Sequence, residues 1–176
     1  NITANNAVGT CGNTATWTAP TASDDQGCVT LTSSHNSGAT FPVGVTTVTY
    51  TATDTQGLTG TSSFTVTVTD NELPTITAPA AVTVTAALNS CTATATLGSA
   101  TTADNCGVAS TTNNAPAAFP IGTTTVVWTV TDNSGNIATA SQTVTVDINP
   151  ANLWYADTDG DTYGAGTALL ACSQPA

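Results

Sequence analysis

Thr47-Val48-Thr49-Tyr50-Thr51-Ala52-Thr53 decides the fold class, and Thr125-Val126-Val127-Trp128-Thr129-Val130-Thr131, 78 residues further on, repeats the message. In both stretches β-branched and aromatic residues alternate with Thr. A period of two puts successive side chains on opposite faces, so each stretch reads as a half-buried antiparallel strand. Working outward, Phe64, Val66 and Val68 alternate with Thr65, Thr67 and Thr69, and Val82 and Val84 alternate with Thr83 and Thr85. Turn-forming runs such as Phe41-Pro42-Val43-Gly44 and Asp132-Asn133-Ser134-Gly135-Asn136 punctuate the strands. No segment has a helical period.

The offset of 78 extends well beyond these strands. Cys28 matches Cys106, Phe41-Pro42 matches Phe119-Pro120, Gly44 matches Gly122, Asp54 matches Asp132, and Gly57 matches Gly135. Upstream the offset becomes 80, so that Cys11 matches Cys91 and Trp17 matches Leu97, as a two-residue loop difference requires. Two copies of one unit are therefore followed by a different tail. About seven short strands in roughly 78 residues predict a β-sandwich of immunoglobulin type. The expected fold is all-β: two tandem immunoglobulin-like β-sandwiches, at 1–70 and 71–148, plus a short Asp-rich segment at 149–176. Trp17, Phe41, Tyr50, Phe119 and Trp128 are expected in the cores. The lone His35, with Asn113 as its counterpart, is expected on a loop.

Composition narrows the setting. Of 176 residues, 42 are Thr, 11 are Asp or Glu, and none is Lys or Arg, giving a formal net charge of −11. A chain without cations offers no phosphate clamp, no Schiff-base amine and no stripe for nucleic acid or anionic lipid. No apolar run is long enough to span a membrane, and no signal peptide is expected within this segment. With no Met, the chain is expected to be a mature or excised piece. No Ser has a matched His and acid, and no Gly-x-Ser-x-Gly elbow occurs, so an enzyme is not expected. Five cysteines in such a chain fit an oxidising compartment. A sandwich this small buries a thin core. A bond closing a loop of some 15 residues would add about 3 kcal/mol. Cys11 is thus expected to pair with Cys28, and Cys91 with Cys106, leaving Cys172 without a partner in this segment.

Together these residues carry a family resemblance. The run Ala103-Asp104-Asn105-Cys106-Gly107-Val108 is followed by Phe119-Pro120-Ile121-Gly122-Thr123-Thr124, by Thr131-Asp132-Asn133-Ser134-Gly135-Asn136, and by Val144-Thr145-Val146-Asp147. This pattern resembles the hyalin repeat, an extracellular immunoglobulin-like module of surface and adhesive proteins. Residues 91–147 follow the motif nearly throughout, and residues 1–70 follow it with Asp-Gln-Gly-Cys in place of Asp-Asn-Cys. Two cysteine slots of the family read Ala78 and, near the last strand, Ser62 and Ala140. The first copy starts inside the pattern, so its opening strand is expected to be partly missing. Tyr155-Ala156-Asp157-Thr158-Asp159-Gly160-Asp161-Thr162-Tyr163-Gly164, followed by Ala171-Cys172-Ser173-Gln174-Pro175, resembles an Asp-rich segment of secreted bacterial surface proteins. The two resemblances together imply a very large bacterial cell-surface protein, such as an adhesin.

Two acidic groups are candidate Ca²⁺ sites. Asp157, Asp159 and Asp161 place carboxylates at alternate positions around Gly160, the way hard oxygen ligands are gathered in a tight loop, with the Tyr163 carbonyl as a fourth ligand. The other reading is a solvated acidic turn. The second group lies where one unit ends: Asp70 and Glu72, with Asp147 in the matching place and Asp104 or Asp132 contributing from loops. Here the alternative is that Asp70 and Asp147 are turn residues closing a strand, and that Asp132 is a turn residue first.

The function expected is structural: a repeat segment of an extracellular bacterial stalk, filament or adhesin, secreted or at the cell surface, giving length and mechanical stability. The competing expectation is a module that recognises carbohydrate or a partner protein through its loops. Expected partners are identical chains in a filament, strand donation included, with no nucleic acid and no direct membrane insertion.

Overall fold

The Thr-alternating runs are the long strands of two compact units. The structure, a computed structural model, describes residues 1–25, 27–154 and 169–170. The first unit comprises Asn1–Pro74 together with the loops Asp104–Ala109 and Thr131–Asn136, and the second comprises Thr75–Ala103, Ser110–Val130 and Ile137–Ala176. The fold is all-β, with two immunoglobulin-like sheet groups in tandem along the chain.

In the first unit the strands are β1 (Ile2–Asn5), β2 (Gly12–Thr14), β3 (Thr30–Ser33), β4 (Thr40–Pro42), β5 (Gly44–Thr53) and β6 (Thr59–Thr69). They form one sheet in the order β1-β6-β5-β3 and a second, smaller pair β2-β4. β1 runs parallel to β6 with Asn5 opposite Thr69, while β5 is antiparallel to β6 from Gly44↔Val68 to Thr53↔Thr59. β3 lies antiparallel to β5 with Thr30 opposite Thr53. Because Val48, Tyr50, Val66 and Val68 share inward parity, they bury together with Phe41 and Ala15, and Trp17 and Phe64 pack against them. The Trp17 indole N–H donates to the Tyr50 hydroxyl at 2.6 Å, so the polar ends of both aromatics are satisfied.

Downstream come β7 (Thr75–Thr77), β8 (Val82–Thr85), β9 (Thr92–Ala93), β10 (Thr101–Ala103), β11 (Val108–Asn113), β12 (Phe119–Pro120), β13 (Gly122–Asp132) and β14 (Ile137–Asp147), then the short β15 (Leu153–Trp154) and β16 (Leu169–Leu170). The order β11-β13-β14-β8 reproduces that of the first sheet, with β8 parallel to β14 and Thr85 opposite Asp147. Val126, Trp128, Val144, Val146, Phe119 and Ala86 form the core. Gln142 is a polar side chain within this core: 1% exposed, it accepts from the Trp128 indole N–H at 3.0 Å and donates to the Ala80 and Leu97 carbonyls at 2.8 and 2.9 Å. The β7-β10 pair has no counterpart among the described residues of the first unit. The four-stranded sheet of that unit, by contrast, is built from residues 2–69 alone and needs no donated strand.

The cysteine pairing differs from the sequence expectation. Cys11 is bonded to Cys106, with Cα atoms 4.7 Å apart and a sequence separation of 95. Cys28 is free and exposed. Cys91 is in a disulfide, but not with Cys106. Strand register gives the reason. Cys11 follows β1, whose end lies beside Thr69, whereas Cys28 precedes Thr30, which lies beside Thr53 and so beside Thr59. Thr59 and Thr69 are ten strand residues apart, about 33 Å. Two cysteines at opposite ends of a sheet cannot meet the Cα separation of about 4.4–6.8 Å that a disulfide demands. The second copy repeats the problem: Cys91 lies beyond the Asp147 end of β14, and Cys106 lies beside the β13–β14 turn, where the Asn133 N–H donates to the Gly107 carbonyl at 3.1 Å.

Candidate functional site: a buried carboxylate cluster

Three acids far apart in sequence meet within the first unit. Asp70, Asp104 and Asp132 each present a carboxylate oxygen, and these oxygens all lie within 4.8 Å of one another. Each arrives by a local backbone motif. Asp70 directly follows β6, and its Oδ1 accepts the Glu72 N–H at 3.2 Å. Asp104 precedes the disulfide, and its Oδ2 accepts the Cys106 N–H at 2.7 Å. Asp132 ends β13, and its Oδ1 accepts the N–H groups of Ser134 and Asn136, both at 2.8 Å. The turn reading and the ligand reading are therefore compatible. In Asp70 and Asp104 one oxygen closes a turn, while Asp70 Oδ2 and Asp104 Oδ1 are buried without a hydrogen-bond partner.

Burial makes these oxygens informative. Asp70 is 4% and Asp132 2% exposed. A buried polar atom without a partner costs about 1–3 kcal/mol, and more if charged. Two ionised carboxylates 4.8 Å apart repel by about 3.5 kcal/mol at an effective dielectric constant near 20, and the chain has no Lys or Arg to offset that. Burial pushes the Asp132 carboxyl upward, but the Asn136 side chain and the N–H groups of Asn136, Ser134 and Gly135 outweigh it and hold the group below its ordinary value of 3.8. Asp132 is thus an anion at neutral pH. Any two oxygens bound to one Ca²⁺ ion at 2.3–2.6 Å lie no more than about 4.6–5.2 Å apart. The spacing of the three carboxylates fits that shell.

The disulfide and a set of amides hold the cluster in place. The Asn105 side chain donates to the Thr10 carbonyl at 2.9 Å, next to Cys11. Asn133 donates to the Cys106 carbonyl at 2.8 Å, and Asn136 donates to Asp132 Oδ2 at 2.8 Å and to the Asp70 carbonyl at 3.3 Å. Gly107, at φ +98°, permits the close approach: a Cβ there would stand 2.8 Å from Asn133 Nδ2.

Of the other sequence candidates, Glu72 lies outside the cluster, its Oε2 accepting from the Gly9 N–H at 2.8 Å and from Asn6 at 3.3 Å. Asp147 ends β14, exposed, and its carbonyl accepts the Ala86 N–H at 2.9 Å. Asp157, Asp159, Asp161 and Tyr163 lie outside the described residues. Sequence reasoning missed Asn105, whose Oδ1 is also buried without a partner. Its signal was its place between Asp104 and Cys106.

Strand order, core and repeated turns define a pair of tandem immunoglobulin-like modules. The HYR domain family matches residues 1–68 and 69–146, and the chain belongs to that family. It is 40% identical over 157 residues to hyalin of Strongylocentrotus purpuratus, covering 83% of this chain and 13% of that protein. To hyalin of Lytechinus variegatus it is 39% identical over 153 residues, covering 82% of this chain and 29% of that protein. The chain thus spans less than a third of either relative. A protocadherin gammaB7 EC3-6 cis-dimer structure aligns over 78% of this chain and 49% of its own, with 14% identity and a TM-score of 0.36. No helix among the described residues is long and apolar enough to cross a membrane.

Proposed function

We propose that the chain is a non-catalytic structural segment of an extracellular adhesive protein, and that Ca²⁺ bound by Asp70, Asp104 and Asp132 stiffens it. The observation that carries this reading is the convergence of three carboxylates, two with buried unpartnered oxygens, on the loops that the Cys11–Cys106 bond ties together. Family membership supports the extracellular adhesive role. In this reading the cation offsets mutual repulsion, the disulfide limits how far the loops separate under load, and the Thr-rich strand faces stay hydrated. Asn105 Oδ1 is a further neutral oxygen for the shell. The Asp157, Asp159, Asp161 and Tyr163 carbonyl set is proposed as a second, separate Ca²⁺ loop. A bacterial surface stalk, filament or adhesin assembled from identical chains is the finer form of the proposal, supported by the resemblance of the tail.

The test is Ca²⁺-dependent stability of the full chain, measured in urea after removal of divalent ions. A site of extracellular type has a dissociation constant of about 0.1–1 mM. At a hundredfold excess over that constant, Ca²⁺ adds about 2.7 kcal/mol to the unit that binds it. Asp70→Asn should abolish the response of the first unit, followed by Trp17 fluorescence, whereas Asp157→Asn should leave that response intact. An equal Ca²⁺ response in wild type and Asp70→Asn would overturn the assignment to this cluster.

A further inference from the structure

The first copy carries a second version of the surface on which Cys11 and Asp70 rest. The turn at Asp54 matches the one at Asp132 bond for bond. Asp54 Oδ1 accepts the N–H groups of Gln56 and Leu58, both at 2.8 Å, and the Asp54 N–H donates to the Leu58 carbonyl at 3.0 Å. Asp132 does the same with Ser134 and Asn136, at 2.8, 2.8 and 3.0 Å. Gly57 and Gly135 take the same left-handed conformation, at φ 85° and 92°. Beside the Asp54 turn lies the segment around Cys28, the counterpart of Asp104–Val108. Together they line a hollow of about 270 Å³ that includes Asp24, Val29, Asp54 and Leu58.

The two versions differ in what covers them. Around Asp132 the Thr10–Cys11 turn and Asp70 are in place: Cys106 is bonded to Cys11, Asn105 holds the Thr10 carbonyl, and Asp132 is 2% exposed. Around Asp54, Asp24, Asp25 and Cys28 are exposed, Cys28 is a free thiol, and Leu58 is 69% exposed. Register adds the reason for the match. In each copy the cysteine of the Cys11 type lies at one end of the long strands, and that of the Cys28 type lies at the other. A repeat therefore cannot close its own bridge. Its second cysteine must be met by the first cysteine of a different repeat, as Cys106 is met by Cys11.

We propose that the face formed by the Cys28 segment and the Asp54–Leu58 turn is a docking surface for the end of another HYR repeat, one that brings a cysteine in the Cys11 position to Cys28 and an acid in the Asp70 position to Asp54. The occupant is a further copy of this module, and the argument rests on the internal repeat and the disulfide, not on the cation. The covalent step is oxidation by a small-molecule disulfide such as oxidised glutathione. The incoming thiol first forms a mixed disulfide, releasing one glutathione thiol. The Cys28 thiolate then attacks its protein sulfur and releases the second. Two protein thiols are oxidised, one glutathione disulfide is reduced, and both protons leave on glutathione. Leu58, where the second copy has Asn136, gives the dock an apolar contact.

The experiment extends the full chain by placing a copy of residues 1–80 directly ahead of Asn1, because Asn1 is the counterpart of Ala81. The added copy carries Cys28→Ser, so that one Cys28 remains. After refolding in a glutathione redox buffer, disulfides are mapped by cleavage at Asp, since the chain offers trypsin no site. Only molecules containing the Cys11–Cys106 bond are scored, which restricts the reading to folded chains. The expected result is Cys28 bonded to the added copy's Cys11. Cys28 recovered as an alkylatable thiol overturns the proposal. A second extended chain, with Cys11→Ser as well in the added copy, removes the bond but keeps the dock. Iodoacetamide should then label Cys28 at least tenfold more slowly than in the unextended chain, and an unchanged rate overturns the proposal.

Discussion

Replacing Cys11 and Cys106 together by Ala should cost the first unit more than a bond within one sandwich could supply. The loop the disulfide closes is 95 residues long. In the chain-entropy model a loop of that length restricts the unfolded chain by about 4.7 kcal/mol, against about 3 kcal/mol for a loop of some 15 residues. Cys28 is free, so Cys28→Ala should change stability by less than about 0.5 kcal/mol, as exposed substitutions usually do. The assay is urea denaturation of three full chains, wild type, Cys11→Ala/Cys106→Ala and Cys28→Ala, without reductant so that the Cys91 bond persists. With a urea slope of about 1–1.5 kcal/mol/M for a unit this small, the double variant should lose roughly 3–5 M of midpoint and Cys28→Ala almost nothing. Chains carrying Cys28→Ala that lose about 3 kcal/mol, with the double variant no worse, would refute the pairing and the register argument behind it.

Other outcomes follow from single groups. Gln142→Leu should cost about 3 kcal/mol or more, since it strands the Trp128 indole N–H and the Ala80 and Leu97 carbonyls in the core; a loss below about 1 kcal/mol would mean that water or a shifted side chain replaces the amide. Asp132 has a depressed folded value, so its hydrogen bonds add stability above about pH 3.8 that is lost as pH falls through the lower folded value. In divalent-free buffer the stability gap between wild type and Asp132→Asn should therefore close on acidification from about pH 5 to pH 2, and a pH-independent gap would contradict the shift. Gly107→Ala should destabilise the Asp104–Ala109 loop and lower Ca²⁺ affinity, read by the same urea titration, because it forces a side chain into left-handed backbone 2.8 Å from Asn133.

The period-two alternation of Thr with Val, Tyr and Trp was sufficient to give the all-β class, the repeat, and the burial of Phe41, Tyr50, Phe119 and Trp128. Those are local properties: a strand's inward parity is written along a few consecutive residues, and a repeat is an identity of two such strings. Gln142 was legible in principle, because it shares the parity of Val144 and Val146, yet its three partners come from three other segments. The disulfide was not legible. Spacing along the chain made Cys28 the convenient partner for Cys11, but the register of β1, β6, β5 and β3 puts the two at opposite ends of the sheet. The gathering of Asp70, Asp104 and Asp132 was legible only in part, since the sequence named all three as one candidate group but placed Glu72 and Asp147 beside them. Each acid reads alone as a turn residue, and each does close a turn. Only the tertiary structure brings three strand ends and loops, tens of residues apart, to within 4.8 Å of one another, because proximity between chain ends is set by how strands pair and not by how they are spelled.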